Sequence, residues 1–212
     1  MKDERHIRYK VAAAARHLYT SGLNPGRSGN LSARLERGFV ITPSGAPYDT
    51  MHPDDLVFLD DDGEHGGGQG KPSSKWRLHL EIYTQRPEIG AVVHTHSPFA
   101  TTLACLHRAI PPFHYEIAFA GGSDIRCAPY ATFGTPALSD RAVEALIERR
   151  ACLLANHGAV AIGADLEAAV ELAEKVEALA RLYWQALQVG EPVLLSEAEM
   201  ARVLAKFAGY GH

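Results

Sequence analysis

The chain has 212 residues, 46% of them hydrophobic and 22% charged, a length and balance expected of one globular domain spanning residues 1–212. A net charge of −4 and a pI near 6.2 give no electrostatic case for binding nucleic acid or an anionic membrane. No apolar run approaches a membrane span, and the start Met1-Lys2-Asp3-Glu4-Arg5 is too charged for a signal peptide. Cys105, Cys127 and Cys152 are odd in number and scattered, as in a protein of the reducing cytoplasm.

Taken in order, residues 3–21 carry Ile7, Val11, Ala14, Ala15 and Leu18 at helical spacing, with Gly22 placed to cap the helix. The turn Asn24-Pro25-Gly26-Arg27-Ser28-Gly29-Asn30 follows. From Asn30 the chain alternates like a strand, and residues 38–42 read as its hairpin partner, ending in Pro43-Ser44-Gly45. Two Gly/Ser turns at neighbouring strand ends expose backbone N–H groups and hydroxyls, as an anion site requires. Either turn alone also reads as hairpin punctuation.

Residues 55–60 form a further strand candidate, and residues 66–70 a glycine-rich loop. Lys71-Pro72-Ser73-Ser74-Lys75-Trp76 opens a helix with Trp76, Leu80 and Tyr83 on one face, and Ser73 or Ser74 as its expected N-cap. Lys75 then falls in the first turn, where the helix dipole disfavours a cation. A bound anion at that helix end would reverse the argument.

The apolar run Ala91-Val92-Val93 leads as a buried strand into His94-Thr95-His96. Side chains two apart on a strand share a face, so His94 and His96 can offer one metal ion two imidazoles. Asn156-His157-Gly158, at the end of the apolar stretch 151–156, offers a third. Three histidines on rigid strands without a fourth ligand fit an open catalytic zinc-type site. The same spacing also fits two polar residues at a strand end plus an unrelated turn histidine.

Further on, residues 98–107 read as helix, and residues 113–117 and 125–128 as short strands. Residues 136–149 read as an amphipathic helix, 151–156 and 159–162 as strands, and 165–189 as the longest helix, before a last one capped at Ser196. No repeat is visible. The mixture suggests an α/β fold, a three-layer α/β/α domain with a largely antiparallel central sheet.

Several of these motifs, in this order, resemble the class II aldolase/adducin family. The resemblance runs through Gly22-Leu23-Asn24, Ser28-Gly29-Asn30, Ile41-Thr42-Pro43-Ser44-Gly45 and Pro72-Ser73-Ser74. It continues through Val93-His94-Thr95-His96, Ala128-Pro129-Tyr130-Ala131-Thr132-Phe133-Gly134-Thr135, Asn156-His157-Gly158 and Lys206-Phe207-Ala208-Gly209-Tyr210. It implies Zn²⁺, or another divalent metal, on His94, His96 and His157. It implies a substrate phosphate on Gly29, Asn30, Ser44, Gly45, Ser73 and Ser74. Tyr115 would serve as an acid at the zinc of a neighbour in a homotetramer, and Tyr210 would close over the site.

The implied activity is C–C cleavage in a small phosphorylated ketose. Two positions depart from the family pattern: Lys75 stands where its catalytic glutamate is usual, and Arg27 replaces a threonine of the phosphate loop. Three readings follow. The chain is an aldolase with Lys75 as a neutral amine base, or a decarboxylase whose Lys75 or Arg27 pairs with a substrate carboxylate, or a non-catalytic binding or structural member.

Overall fold

The computed structural model describes residues 4–66 and 70–208. A seven-stranded sheet in the order β3-β2-β1-β4-β7-β6-β5 forms the middle layer. Its strands are β1 (Asn30–Arg34), β2 (Phe39–Ile41), β3 (Val57–Leu59), β4 (Ala91–Thr95), β5 (Arg126–Ala128), β6 (Ala151–Leu154) and β7 (Gly158–Gly163). The β5–β6 pair is parallel and the other strand pairs are antiparallel. The three layers and largely antiparallel sheet are those expected from the sequence.

The period of two along β4 decides which layer each residue meets. Ala91 and Val93 pack with α1 (Glu4–Thr20), α3 (Pro98–Cys105) and α5 (Leu166–Val189) on one face. Val92 packs on the other with Leu78 and Ile82 of α2 (Trp76–Gln85) and Leu138 and Ala142 of α4 (Pro136–Ala145). His94 leaves β4 two residues after Val92 and therefore faces the α2 side. The remaining helix, α6 (Glu197–Ala208), starts where Ser196 Oγ accepts the Glu199 N–H at 3.2 Å, as the cap motif predicts.

Three local expectations are corrected. Neither Ser73 nor Ser74 is the N-cap of α2: Lys75 occupies that position without a side-chain cap bond. Ser73 Oγ instead accepts the Lys75 N–H at 3.3 Å, and the Ser73 carbonyl accepts the Trp76 N–H at 3.0 Å, so a turn forms first and the helix starts later. Residues 113–117 are not a strand. Tyr115–Ala120 is a 3₁₀ helix, because His114 Nδ1 accepts the Glu116 N–H and starts a local turn. Finally, α4 stops at Ala145 and leaves Ile147 57% exposed. Past Ala145 the chain tightens into three-residue turns, with the Ile147 N–H on the Glu144 carbonyl at 3.2 Å, and Glu148 at φ 57° is left-handed, so the helix does not resume. Among the described residues no helix is long and apolar enough to cross a membrane.

The histidine-bearing strand ends are held by close backbone approach. A Cβ added at Gly158 would lie 2.2 Å from the Thr95 carbonyl oxygen on β4. Gly158→Ala should therefore force β4 and β7 apart and destabilise the protein by about 1–3 kcal/mol, with loss of divalent-metal affinity. Denaturant unfolding and metal titration of this variant measure both effects, and an unchanged pair of values would contradict the geometry.

Candidate metal and anion site

His94 and His96 converge from the end of β4, and His157 reaches them from the β6–β7 turn. Asn156 at φ 53° makes that turn tight enough to aim His157 back over the sheet. The ring centroids of the three lie 4.7–5.0 Å apart. One ligand-type atom from each falls within 4.8 Å of the others, forming a group that could hold a metal ion.

The donor chemistry fits a divalent cation. The Ala159 carbonyl lies 2.9 Å from His94 Nδ1 and accepts its N–H, which leaves the Nε2 lone pair facing inward. His94 Nε2 lies 3.0 Å from His96 Nε2, so two unprotonated nitrogens would repel unless a cation or a shared proton stood between them. Imidazoles on a tetrahedral ion at about 2.0–2.1 Å sit roughly 3.3 Å from one another, close to the observed spacing.

Neutral imidazoles are what a metal requires, and the environment enforces neutrality. Burial, followed by positive charge on His157, His96 and Lys75, holds His94 well below the ordinary histidine value. His157 is pushed down to about 4, first by burial and then by His96 and Lys75. His96 is lowered by burial and by Lys75. The Lys75 charge thus acts on all three rings. Its ammonium lies 4.8 Å above the Phe133 ring, and burial lowers its own pKa. The ligand-type cluster contains no carboxylate.

The anion-type turns come together beside this cluster through a backbone ladder. The Thr42 N–H donates to the Leu31 carbonyl at 3.1 Å, and the Ser73 N–H donates to the Thr42 carbonyl at 3.2 Å. The Ser44 N–H reaches the Lys71 carbonyl at 2.9 Å, and Pro43 bridges Pro72. Residues 29–31, 42–45 and 71–74 are therefore neighbours in space. Arg27 joins them by donating from Nη1 to the Gly45 carbonyl at 3.1 Å. Gly29 is required where it stands: it has φ 77°, and a Cβ would overlap the Asn24 amide at 2.1 Å. Asn24 in turn accepts the His96 N–H through Oδ1 at 3.3 Å, tying the first turn to the histidines.

Not every expected residue joins the cluster. Tyr115 is 50% exposed and stacks on His114 and Phe207. No hydrogen bond or ring contact links it to the three histidines of its own chain. Tyr210 lies outside the described residues. Residue-by-residue reading missed Asn24 as a support of His96, and Phe133 as the platform under Lys75. It also missed buried His79, whose Nε2 is 2.5 Å from Asn30 Oδ1. Its signal was available: His79 and Tyr83 are four apart on the apolar face of α2, opposite Asn30 and Ser32, which are two apart on β1.

Burial pushes His79 down to about 3, whereas an unfolded histidine titrates at 6.5. Between those values the unfolded chain binds the extra proton, so stability rises with pH there. The depressed site histidines act with the same sign. The contribution of these histidines to the stability of metal-free protein should be complete above about pH 6.5 and lost progressively as pH falls toward 4. Thermal melts across this range test it, and a pH-independent midpoint would contradict it.

Residues 9–184 match the family described as class II aldolase and adducin N-terminal domain. The 5-methylthioribulose-1-phosphate/5-deoxyribulose-1-phosphate aldolase of Rhodospirillum rubrum is 54% identical over 205 residues, covering 97% of this chain and 92% of that protein. The L-fuculose phosphate aldolase of Escherichia coli K12 is 48% identical over 191 residues, covering 90% of this chain and 88% of that protein. A solved L-fuculose 1-phosphate aldolase superposes with a TM-score of 0.91 at 39% identity, covering 95% of this chain and 96% of that one. The chain belongs to the class II aldolase and adducin family.

Proposed function

We propose that this protein is a metal-dependent lyase that cleaves a C–C bond in a phosphorylated ketose, with His94, His96 and His157 as ligands of zinc or another divalent ion. The carrying observation is three inward-facing imidazoles kept neutral beside turns rich in anion donors. The relatives described above are named for aldol cleavage of sugar phosphates, which supports the substrate class. A divalent ion would supply Lewis-acid stabilisation of the negative charge that develops at the carbonyl oxygen during cleavage.

The chain's own groups do the rest. Gly29, Asn30, Ser44, Gly45, Ser73 and Ser74 hold the phosphate, with Arg27 adding a positive charge at the rim. Phosphate binding at this end fixes the ketose in register, so that its carbonyl end meets the histidine cluster. Lys75 moves the proton at the nucleophilic carbon. Burial favours its neutral amine, whose lone pair can accept a proton.

Tyr115, half exposed and unconnected to its own cluster, acts as the acid at the site of a neighbouring subunit in a cytoplasmic homotetramer. The domain acts as a single unit, and Tyr210 closes the site. One feature favours a second reading. A cation whose charge reaches a carboxylate-free cluster also suits a substrate carboxylate, and a decarboxylation would need no base at carbon.

Four measurements test these assignments. Elemental analysis should find a single divalent ion per chain, lost in His94→Ala; full occupancy after all three histidines are changed to alanine would reject the ligands. Ser73→Ala combined with Ser74→Ala should weaken phosphate binding by about 1.5–3 kcal/mol for each charge-assisted bond lost, while metal content stays unchanged. Lys75→Met should lower aldol cleavage by about 10²–10⁴-fold and spare both metal and phosphate affinity. Cleavage that rises in Lys75→Glu would show instead that the native lysine is not the base. Release of CO₂ from a carboxylated substrate, without aldol cleavage, would favour the second reading.

A further inference from the structure

The α2-facing side of β1 carries a chain of buried polar groups that the proposed chemistry does not use directly. Tyr83 Oη lies 2.7 Å from Ser32 Oγ, Ser32 Oγ lies 2.7 Å from His79 Nδ1, and His79 Nε2 lies 2.5 Å from Asn30 Oδ1. Ser32 and His79 are fully buried, and Tyr83 and Asn30 are 4% and 2% exposed. Four polar side chains sealed between a sheet and a helix are costly unless each donor meets an acceptor.

That requirement sets the direction of the chain. Among the described residues the Tyr83 hydroxyl has one acceptor, Ser32 Oγ, so Tyr83 donates to Ser32. The serine proton must then go to His79 Nδ1, its other partner. His79 is neutral, so a lone pair at Nδ1 places the ring proton on Nε2, where it is donated to Asn30 Oδ1. Reversed wiring would leave the tyrosine proton without an acceptor.

We infer that His79 is a positioning residue for the phosphate site, locking the Asn30 carboxamide so that its NH₂ and never its carbonyl is presented to the substrate phosphate. This rests on the anion-site reading above. Asn30 Nδ2 makes no hydrogen bond to the described residues, and it is absent from the side-chain atoms buried without a partner. It is therefore an unpaired donor at the end of a wired chain, on a side chain that is only 2% exposed. A freely flipping carboxamide would offer its carbonyl oxygen to an anion part of the time, which repels. Asn30 also stands opposite His94 in the β1–β4 register, so the lock sets the anion donor directly beside the strand that carries the first histidine. The polar wiring runs from α2 through Tyr83 and His79, so the helix that follows Lys75 also orients the opposite wall of the site.

The test uses metal-loaded protein with inorganic phosphate as the probe, together with turnover of a ketose 1-phosphate. His79→Phe keeps a buried ring but removes the donor to Asn30. It should raise both the Kd for phosphate and the KM by roughly 3–10-fold, leaving kcat and metal content unchanged. His79→Gln, which retains an N–H near the Nε2 position, should restore both constants.

A purely structural histidine would change stability without this KM-against-kcat split. In the wild-type protein, ¹⁵N NMR should find the His79 proton on Nε2, a measurement that stands even where His79→Phe does not fold. A proton on Nδ1 would overturn the wiring. Unchanged phosphate affinity in His79→Phe, alongside a loss in Ser73→Ala/Ser74→Ala, would overturn the positioning role and leave the anion site standing. Phosphate affinity indifferent to the serine changes as well would remove the anion site itself, and this inference with it.

Discussion

Strand β4 is held on both sides, by β1 and by β7, and the register of those two ladders is the constraint on which the chemistry depends. Asn30 stands opposite His94 on one flank, and Val160 stands opposite it on the other. The hydrogen bond from His94 Nδ1 to the Ala159 carbonyl then uses the neighbouring strand to choose the tautomer. A slip of one residue in either ladder would turn His94 toward α1, α3 and α5, and would bury Thr95 where the imidazole belongs. Gly158 permits the close approach of β7, and the left-handed Asn156 returns His157 to the same face.

Electrostatics make the arrangement costly in a way that suits its use. Three imidazoles and an ammonium share a partly buried region, so each positive charge disfavours the others. The neutral forms therefore dominate at the rings, and burial lowers Lys75 as well. A divalent ion would use the ring lone pairs and add to the positive field, which an anion beside Lys75 would offset. The absence of a carboxylate from the cluster makes the field stronger than it would be with a glutamate at position 75.

The three turns show how weak local signals come together as a candidate anion site. None of the three segments is unusual alone. A ladder of backbone bonds from Leu31 through Thr42 to Ser73 lines them up, and Tyr48 fastens the first by donating to the Gly29 carbonyl at 2.6 Å. Buried polar groups back two of these residues: Asn24 lies against Gly29, and His79 holds Asn30. Such supports set geometry without touching a ligand, and they determine how accurately the outer donors point.

Periodicity in the sequence marked the buried face of α1, and the continuous apolar run of β4 marked a strand hidden on both faces. The order of the layers came from the mixture of elements and the motifs rather than from periodicity. The period of two also determined that His94 and His96 share a face, since alternation on a strand follows from backbone geometry alone. Motif order carried the family. The start of α2, the 3₁₀ turn at Tyr115 and the end of α4 were decided by hydrogen bonds and a left-handed residue that propensity does not encode. Only the tertiary structure placed His157 beside the pair, because its sequence separation from them is bridged by sheet pairing. Only the tertiary structure also showed the Lys75 ammonium over Phe133 and its charge acting on all three rings, and joined Tyr83, Ser32, His79 and Asn30 into one chain. Each of those contacts joins segments far apart in sequence, and such contacts exist only once the sheet has closed around β4.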